Sequence, residues 1–214
     1  NKIKVFRMKD EYKTDTAGII DYTSNAYGVA YIHKNEKIKM GNSSGWYAGI
    51  VNNNFSSEVT AVASKETIQK MAANKATIYG GTTPPRVEGY FTSGEVQLTH
   101  TSLGDNDPLK SAAFDGFYYR FYEQNGSKLK VDYRNHAGGT YAANGVNAVI
   151  SGEGNKFTIF FLNKERDLVA LSGEFTGDAI KNFQQSVINK VEKPVGAVRV
   201  FKSKSGYAES TREF

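Results

Sequence analysis

The sequence predicts a mostly β (α+β) protein, with an antiparallel barrel- or sandwich-like sheet and one or two packed helices. Three observations favour this fold class. The 214 residues include 13 Tyr and 13 Phe, and aromatic residues are enriched in strands. Short apolar runs recur along the chain, and clusters of Gly, Asn, Ser or Asp separate many of them. Only two stretches show helical periodicity instead.

Two early runs, residues 27–33 and 45–51, combine aromatic and aliphatic residues with very small ones. Along the first run the large residues share one face of a strand, whereas Gly28 and Ala30 share the other. This alternation is typical of a curved, closely packed sheet or barrel wall. Further strands are predicted at 2–7, 17–23, 76–80, 86–92, 95–101, 146–151 and 196–202.

Two hairpins follow in the middle of the chain. Residues 117–133 form two runs joined at Asn125-Gly126, a pair that supplies the positive φ angles of a type I′ turn. The second of these runs alternates apolar and charged residues, which indicates a sheet with one buried and one solvated face. Residues 156–175 contain a second pair of apolar runs around the polar segment 163–167.

Two helices are predicted. Ser64 is a good N-cap for a helix over 64–74, which contains strong helix formers. In the second stretch, 178–192, Asp178 serves as the cap and Pro194 ends the helix. Its apolar residues fall on one helical stripe, which predicts packing on a sheet: Ile180, Phe183, Val187, Ile188 and Val191.

The length fits a single β-rich domain over residues 1–214, with a candidate internal boundary near 52–64. The composition is 39% hydrophobic, which is enough for a core. Apolar runs are all shorter than the roughly 18 residues of a spanning helix. There are no cysteines, which excludes disulfides and thiolate metal sites.

The net charge of +5 is concentrated at the two ends of the sequence. Residues 1–13 carry five Lys or Arg against two acids, and residues 193–214 do the same. Nucleic-acid-binding proteins usually concentrate Lys and Arg on one face instead. We therefore interpret the basic ends as solvated tails or strand edges, and expect no nucleic-acid partner.

The sequence offers no catalytic or metal motif. The three histidines lie far apart, and none belongs to a His-x-x-x-His or Glu-x-x-His pair. Residues 41–45 match the Gly-x-Ser-x-Gly spacing only inside a predicted turn, not at a strand-to-helix elbow. Residues 105–107 look like the start of a calcium loop, but the required Gly and Glu do not follow. We expect no enzymatic activity and no metal.

The candidate ligand-binding residues are His136, Tyr141, His33, Trp46 and Tyr47. His136 lies beside two glycines on a loop that Tyr141 follows, where it could approach a flat ligand such as haem; the alternative is a polar loop histidine. His33 lies at the end of a predicted strand. Trp46 and Tyr47 are candidate exposed anchors, and the alternative is that they are wall or core residues.

Three segments carry a resemblance to a known family: VFRMKD at 5–10, YTSNAYGVAY at 22–31 and GNSSGWYAG at 41–49. They resemble the early barrel strands of type V autotransporters of Gram-negative bacteria, especially fusobacterial adhesins. The resemblance covers about the first 55 residues. It implies an outer-membrane translocator that anchors a secreted passenger, and no catalytic residue. After residue 55 helical patterns replace the barrel strands expected from the family.

These observations lead to one main functional hypothesis and two alternatives. The main one is a non-enzymatic, exported bacterial surface or secreted binding protein that acts in adhesion or captures a host molecule through Tyr-rich strands. The first alternative is a soluble barrel-type carrier of haem or another small hydrophobic ligand. The second is a fragment of an outer-membrane autotransporter barrel, with membrane association through residues 1–55. All three predict an extracellular or outer-membrane location.

Overall fold

The chain forms two compact units, Asn1–Tyr47 and Ala48–Phe214. This division lies just before the boundary expected near 52–64. Before residue 54 the computed structural model describes only the backbone of the strands; from residue 54 onward it describes side chains as well. The described residues are 2–4, 19–21, 29–31, 39–42, 45–46, 50–51, 54–110, 112–138, 141–190 and 194–212.

The first unit contains two small antiparallel sheets. Strand β1 (Lys2–Lys4) pairs with β2 (Ile19–Asp21). Strand β3 (Val29–Tyr31) pairs with β4 (Lys39–Asn42), which pairs with β5 (Gly45–Trp46). The strands predicted at 2–7, 17–23 and 27–33 are thus confirmed over their described residues.

The second unit opens with short elements. Strand β6 (Ile50–Val51) is parallel to β7 (Ile78–Tyr79), and helices α1 (Ser57–Val62) and α2 (Lys65–Ala73) lie between them in the sequence. The prediction of a helix at 64–74 is confirmed by α2, in which the Ser64 hydroxyl accepts a hydrogen bond from the Thr67 amide at 3.3 Å. Neither described helix is long and apolar enough to cross a membrane.

The rest of the second unit is almost entirely β. A 3₁₀ turn, Gly104–Asn106, interrupts it. Its strands are β8 (Thr82–Thr83), β9 (Gly89–Thr92), β10 (Val96–Thr101), β11 (Ala113–Phe114), β12 (Phe117–Asn125), β13 (Lys128–Asn135), β14 (Ala142–Glu153), β15 (Lys156–Leu162), β16 (Leu168–Phe175), β17 (Ala179–Ile188), β18 (Val198–Ser203) and β19 (Tyr207–Ser210).

Eight of these strands close into an antiparallel barrel in the order β9-β12-β13-β14-β15-β16-β17-β19, with β19 returning to β9. From β12 to β17 each strand pairs with the next one in the sequence, so this part is an up-and-down meander. Strand β17 is shared, because its first residues pair with β19 and its last with β18. Strands β18, β10 and β11 extend the sheet from there.

The barrel wall separates two hydrophobic cores. Inside, β15 contributes Phe157, Ile159 and Phe161. Outside, the alternate residue Phe160 joins a second core under α1 and α2, which contribute residues such as Ile68. Because both faces of β15 are covered, the strand reads in the sequence as an almost continuous apolar run.

The helix predicted at 178–192 is wrong, because the described residues up to Ile188 form strand β17. The register of its pairing with β16 shifts between Lys181 and Gln184, and Asn182, which lies in this interval, has a positive φ of 53°. Such a bulge adds one residue to a strand. Ile180 and Phe183 therefore both join the interior core although they are three residues apart, a spacing that imitates one turn of a helix.

Both predicted hairpins are confirmed, as β12–β13 and β15–β16. The type I′ turn predicted at Asn125-Gly126 is not observed. Asn125 pairs with Lys128, so that Gly126 and Ser127 form the turn, and only Gly126 has a positive φ, of 57°. A glycine at the first central position fits a type II′ turn.

Candidate functional site

One end of the barrel contains a cavity of about 230 Å³. Much of its lining comes from the start of β12, the end of β13, the end of β15, the start of β16 and the end of β17, which lie at the same end because neighbouring strands are antiparallel. Beside β17, residues of β18, β10 and β11 and Leu109 add to the lining. Elsewhere the interior is filled by buried side chains such as Phe121, Phe157 and Phe183. The aromatic residues of the lining are Phe114, Phe117, Tyr119, Tyr133, Tyr141, Phe161 and Phe201.

The two innermost tyrosines of the cavity are anchored by hydrogen bonds. The Tyr119 hydroxyl donates to Oε1 of Gln185 at 2.8 Å. The Tyr133 hydroxyl accepts from the backbone amide of Lys164 at 3.0 Å. Burial raises the pKa of both phenols, so both stay protonated near neutral pH. The rings are thus held in fixed positions before any ligand arrives.

The loop between β15 and β16 brings acidic residues to the cavity. Asn163 fixes this turn with two hydrogen bonds. Its side-chain Oδ1 accepts from the backbone amide of Asp167 at 2.7 Å, and its backbone amide donates to the carbonyl oxygen of Asp167 at 2.9 Å. Asp167 is buried, and its Oδ1 accepts from the Lys190 amide at 2.6 Å. Glu165, in the same turn, also lines the cavity.

Arg199 is the one cationic residue among the described residues that line the cavity. It is paired with Asp107, whose side chain is completely buried. Nε of Arg199 lies 2.7 Å from Oδ2 and Nη2 lies 3.3 Å from Oδ1. Burial alone would raise the pKa of Asp107, but hydrogen bonds from Arg199, Thr101 and the Leu109 amide together lower it. The pair is therefore ionised and electrically neutral overall.

Asn189 is the polar lining residue with an unused donor. It is only 3% exposed, and its Nδ2 is the one buried side-chain nitrogen or oxygen without a hydrogen-bond partner in the described part of the chain. Its backbone amide and carbonyl bond to Ala197 and Gly196, which fixes the residue in place. An unpaired buried donor costs about 1–3 kcal/mol, a cost that a ligand acceptor would remove.

Tyr141 and His136, which the sequence predicts to bind the same ligand, lie in different places in the structure. Tyr141 lines the cavity and is 52% exposed. His136 is absent from the lining: its ring centroid lies 4.1 Å from that of Tyr118, and its Nε2 lies 2.9 Å from Oγ1 of Thr92. Tyr118 alternates with the inward-facing Tyr119, so His136 lies on the outside of the wall. Its role in ligand binding stays a prediction.

The other predicted binding residues belong to the first unit. His33 and Tyr47 lie outside the described residues. Trp46 is part of β5, and its side chain is likewise outside the described part. Among the described residues no three His, Asp or Glu side chains lie close enough together to hold a metal ion.

Sequence reasoning missed the polar part of the cavity. Gln185 and Asn189 lie in the stretch that the sequence predicts as a helix. In a helix the residues that face the core recur about every 3.6 positions, so the pattern does not show which side chains face the inside of a barrel. Once 179–188 is a strand, Gln185 shares the inward face of Phe183 and Val187, which marks it as a polar group aimed at the interior. Glu165 was interpreted only as part of a polar turn.

Comparisons with protein families, with curated proteins and with solved structures give no match. The autotransporter resemblance of residues 1–55 therefore stays a prediction.

Proposed function

We propose that the second unit is a binding protein for a small, largely apolar molecule, which it holds in the cavity at the end of the barrel. The cavity itself carries this proposal. Small-molecule sites are concave, mostly apolar, contain a few convergent polar groups and often lie in the mouths of β-barrels. Barrels of eight strands are wide enough to hold one small ligand.

The size of the cavity limits the ligand. At about 230 Å³ it is below the roughly 300–1,000 Å³ typical of sites for drug-sized molecules. A compound with one or two rings suits it better than haem, which has four pyrrole rings. The position of His136 outside the lining also disfavours haem ligation by that residue inside the cavity. Haem stays an outcome to be tested.

We infer that this barrel works in water rather than in lipid. The outward positions of β12 and β13 carry Arg120, Lys128, Lys130 and Arg134, and a cationic residue facing lipid at mid-membrane costs about 2–4 kcal/mol. On other strands the wall is covered by α1 and α2. Expression of residues 1–214 without detergent tests this, since a lipid-facing barrel would aggregate. Export, adhesion and capture of a host molecule stay predictions.

The binding proposal can be tested with indole, a neutral two-ring probe. Amide chemical shifts of the whole chain are followed during titration. We expect saturable changes at cavity residues such as Val169 and Val187, and their loss in Val187→Trp, which fills the cavity. Tyr207→Trp is the control, because Tyr207 is an exposed residue of β19 and does not line the cavity. Absence of saturable shifts up to the solubility limit of indole would overturn the proposal.

A further inference from the structure

We propose that the cavity selects a small organic cation, an ammonium compound with an apolar body and one hydrogen-bond acceptor. This inference rests on the proposed function, since it assigns the ligand class of the same site. Three features of the lining carry it: the aromatic rings, the carboxylate of Glu165 and the unpaired amide of Asn189.

The rings favour positive charge. The face of an aromatic ring carries partial negative charge, and a cation within about 6 Å of the ring centroid is attracted to it. The rings of Phe117, Tyr119 and Tyr133 form a continuous wall, with centroids 5.9 Å apart for the first pair and 6.4 Å for Phe117 and Tyr133. Phe161 continues this wall at 5.6 Å from Tyr133. Several neighbouring rings of the lining are therefore available to one ammonium group in the cavity.

The charged residues act in the same direction. Arg199 is neutralised by Asp107, so the carboxylate of Glu165 gives this part of the lining a negative charge. Glu165 has no ion-pair partner among the described residues. Its neighbours Lys164 and Arg166 are exposed and do not line the cavity.

The field of Glu165 reaches the aromatic wall. Burial is the main cause of the raised pKa of Tyr133, and the negative charge of Glu165 adds to it. Because Asn163 fixes the turn that carries Glu165, the backbone from which this side chain extends is positioned before the ligand binds. Such preorganisation lowers the entropic cost of binding.

Asn189 is the reason why the ligand is expected to carry a hydrogen-bond acceptor. Its buried Nδ2 lacks a partner among the described residues, and a donor of this kind is satisfied by a carbonyl, an ether, a hydroxyl or the π-face of a ligand. A carboxylate would satisfy it too, but the net charge of the lining opposes anions. The same argument disfavours fatty acids and haem, which carry carboxylates.

The test compares three probes that share an indole ring and differ in charge: tryptamine, 3-ethylindole and indole-3-propionate. Binding to the full chain is measured by calorimetry and by amide shifts at pH 7 in low salt. We expect tryptamine to bind about tenfold more tightly than 3-ethylindole, as one cation–π or ion-pair contact provides. Indole-3-propionate should bind more weakly than either.

Glu165→Gln should abolish most of the tryptamine preference and leave 3-ethylindole unchanged. Glu209→Gln is the matched control, because Glu209 is an exposed residue of β19 outside the lining. Equal binding of all three probes would overturn the charge selectivity and leave the proposed function intact. If none of the three probes binds although indole does, the charge selectivity fails and the proposed function stands; if indole does not bind either, both fail. A tryptamine preference that persists in Glu165→Gln would overturn the assignment of Glu165.

Discussion

Asp107 and Arg199 form a buried, two-point ion pair between the segment after the 3₁₀ turn and strand β18. The Asp107 side chain is completely buried, and the Arg199 side chain is 14% exposed. Oδ1 of Asp107 also accepts from the Leu109 amide at 3.0 Å. Arg199 and Leu109 both line the cavity, so this pair connects the stability of the barrel end to the shape of the site.

Asp107→Asn should lower the free energy of unfolding at pH 7 by about 3–5 kcal/mol, because it leaves the guanidinium of Arg199 buried without its partner charge. Urea denaturation followed by far-ultraviolet circular dichroism measures this change in the free energy of unfolding. The double variant Asp107→Asn/Arg199→Met should recover part of the loss, since it removes both charges. A single variant as stable as the wild type would contradict the assigned role of the pair.

The same pair predicts an acid dependence of stability. The folded state holds the pKa of Asp107 below the ordinary value of 3.8, whereas the unfolded chain has the ordinary value. The carboxylate therefore stabilises the fold fully at pH values above 3.8, and this contribution is lost as the pH falls through the folded pKa. In Asp107→Asn the slope of stability against pH should be smaller over that interval. An unchanged slope would contradict the prediction.

Gly173 of β16 lies opposite the bulge in β17, where the two strands leave no room for a side chain. A Cβ at this position would lie 2.2 Å from Cγ2 of Ile180 and 3.0 Å from the carbonyl oxygen of Lys181. Gly173→Ala should therefore cost about 1–3 kcal/mol through overpacking, measured as a shift of the urea midpoint. In Gly173→Ala/Ile180→Ala the loss should be smaller than the sum of the two single losses, because the clash with Ile180 is removed. Strict additivity would refute this.

The parts of the fold that follow from local pattern could be predicted from the sequence. Strand β13 alternates apolar and charged residues, β12, β15 and β16 are short aromatic or apolar runs next to polar turns, and α2 has a serine cap. Strand β17 could not be read, because the bulge at Asn182 breaks the two-residue period. Barrel closure depends on pairing of β9 with β19, more than 100 residues apart in the sequence, which no local pattern records. The polar cavity residues were missed with β17.

A chain of buried hydroxyl groups attaches β7 to the outside of the barrel. Oγ1 of Thr158 accepts from the Tyr79 amide at 2.8 Å and lies 3.0 Å from Oγ of Ser172. Thr158→Val removes the hydroxyl at nearly constant volume and leaves the Tyr79 amide unpaired, at a cost of about 1–3 kcal/mol. Thr158→Ser keeps the hydroxyl and is the control. Amide exchange of Tyr79 should accelerate in the valine variant only; equal exchange in both would contradict the role of this hydroxyl.

The contacts of His136 predict a histidine that resists protonation. Partial burial, the largest cause, lowers its pKa below 6.5, and the positive charge of Arg134 lowers it further, while Asp115 acts in the opposite direction. Titration followed by imidazole NMR should give a pKa below the ordinary value, and Arg134→Gln should raise it. Since the folded pKa is the lower one, the contribution of His136 to stability is present above pH 6.5 and is lost as the pH falls through the folded pKa.

The same residue distinguishes the cavity from the outer wall as a binding site. His136 stacks on Tyr118 outside the barrel, so His136→Ala should leave the affinity for indole unchanged, whereas Tyr141→Ala should weaken it because Tyr141 lines the cavity. A haem titration of the wild type and of His136→Ala completes the comparison. A Soret band that depends on His136, together with unchanged indole binding, would place a haem site on the outer wall, separate from the cavity. Loss of indole binding in His136→Ala would instead contradict the placement of the small-molecule site.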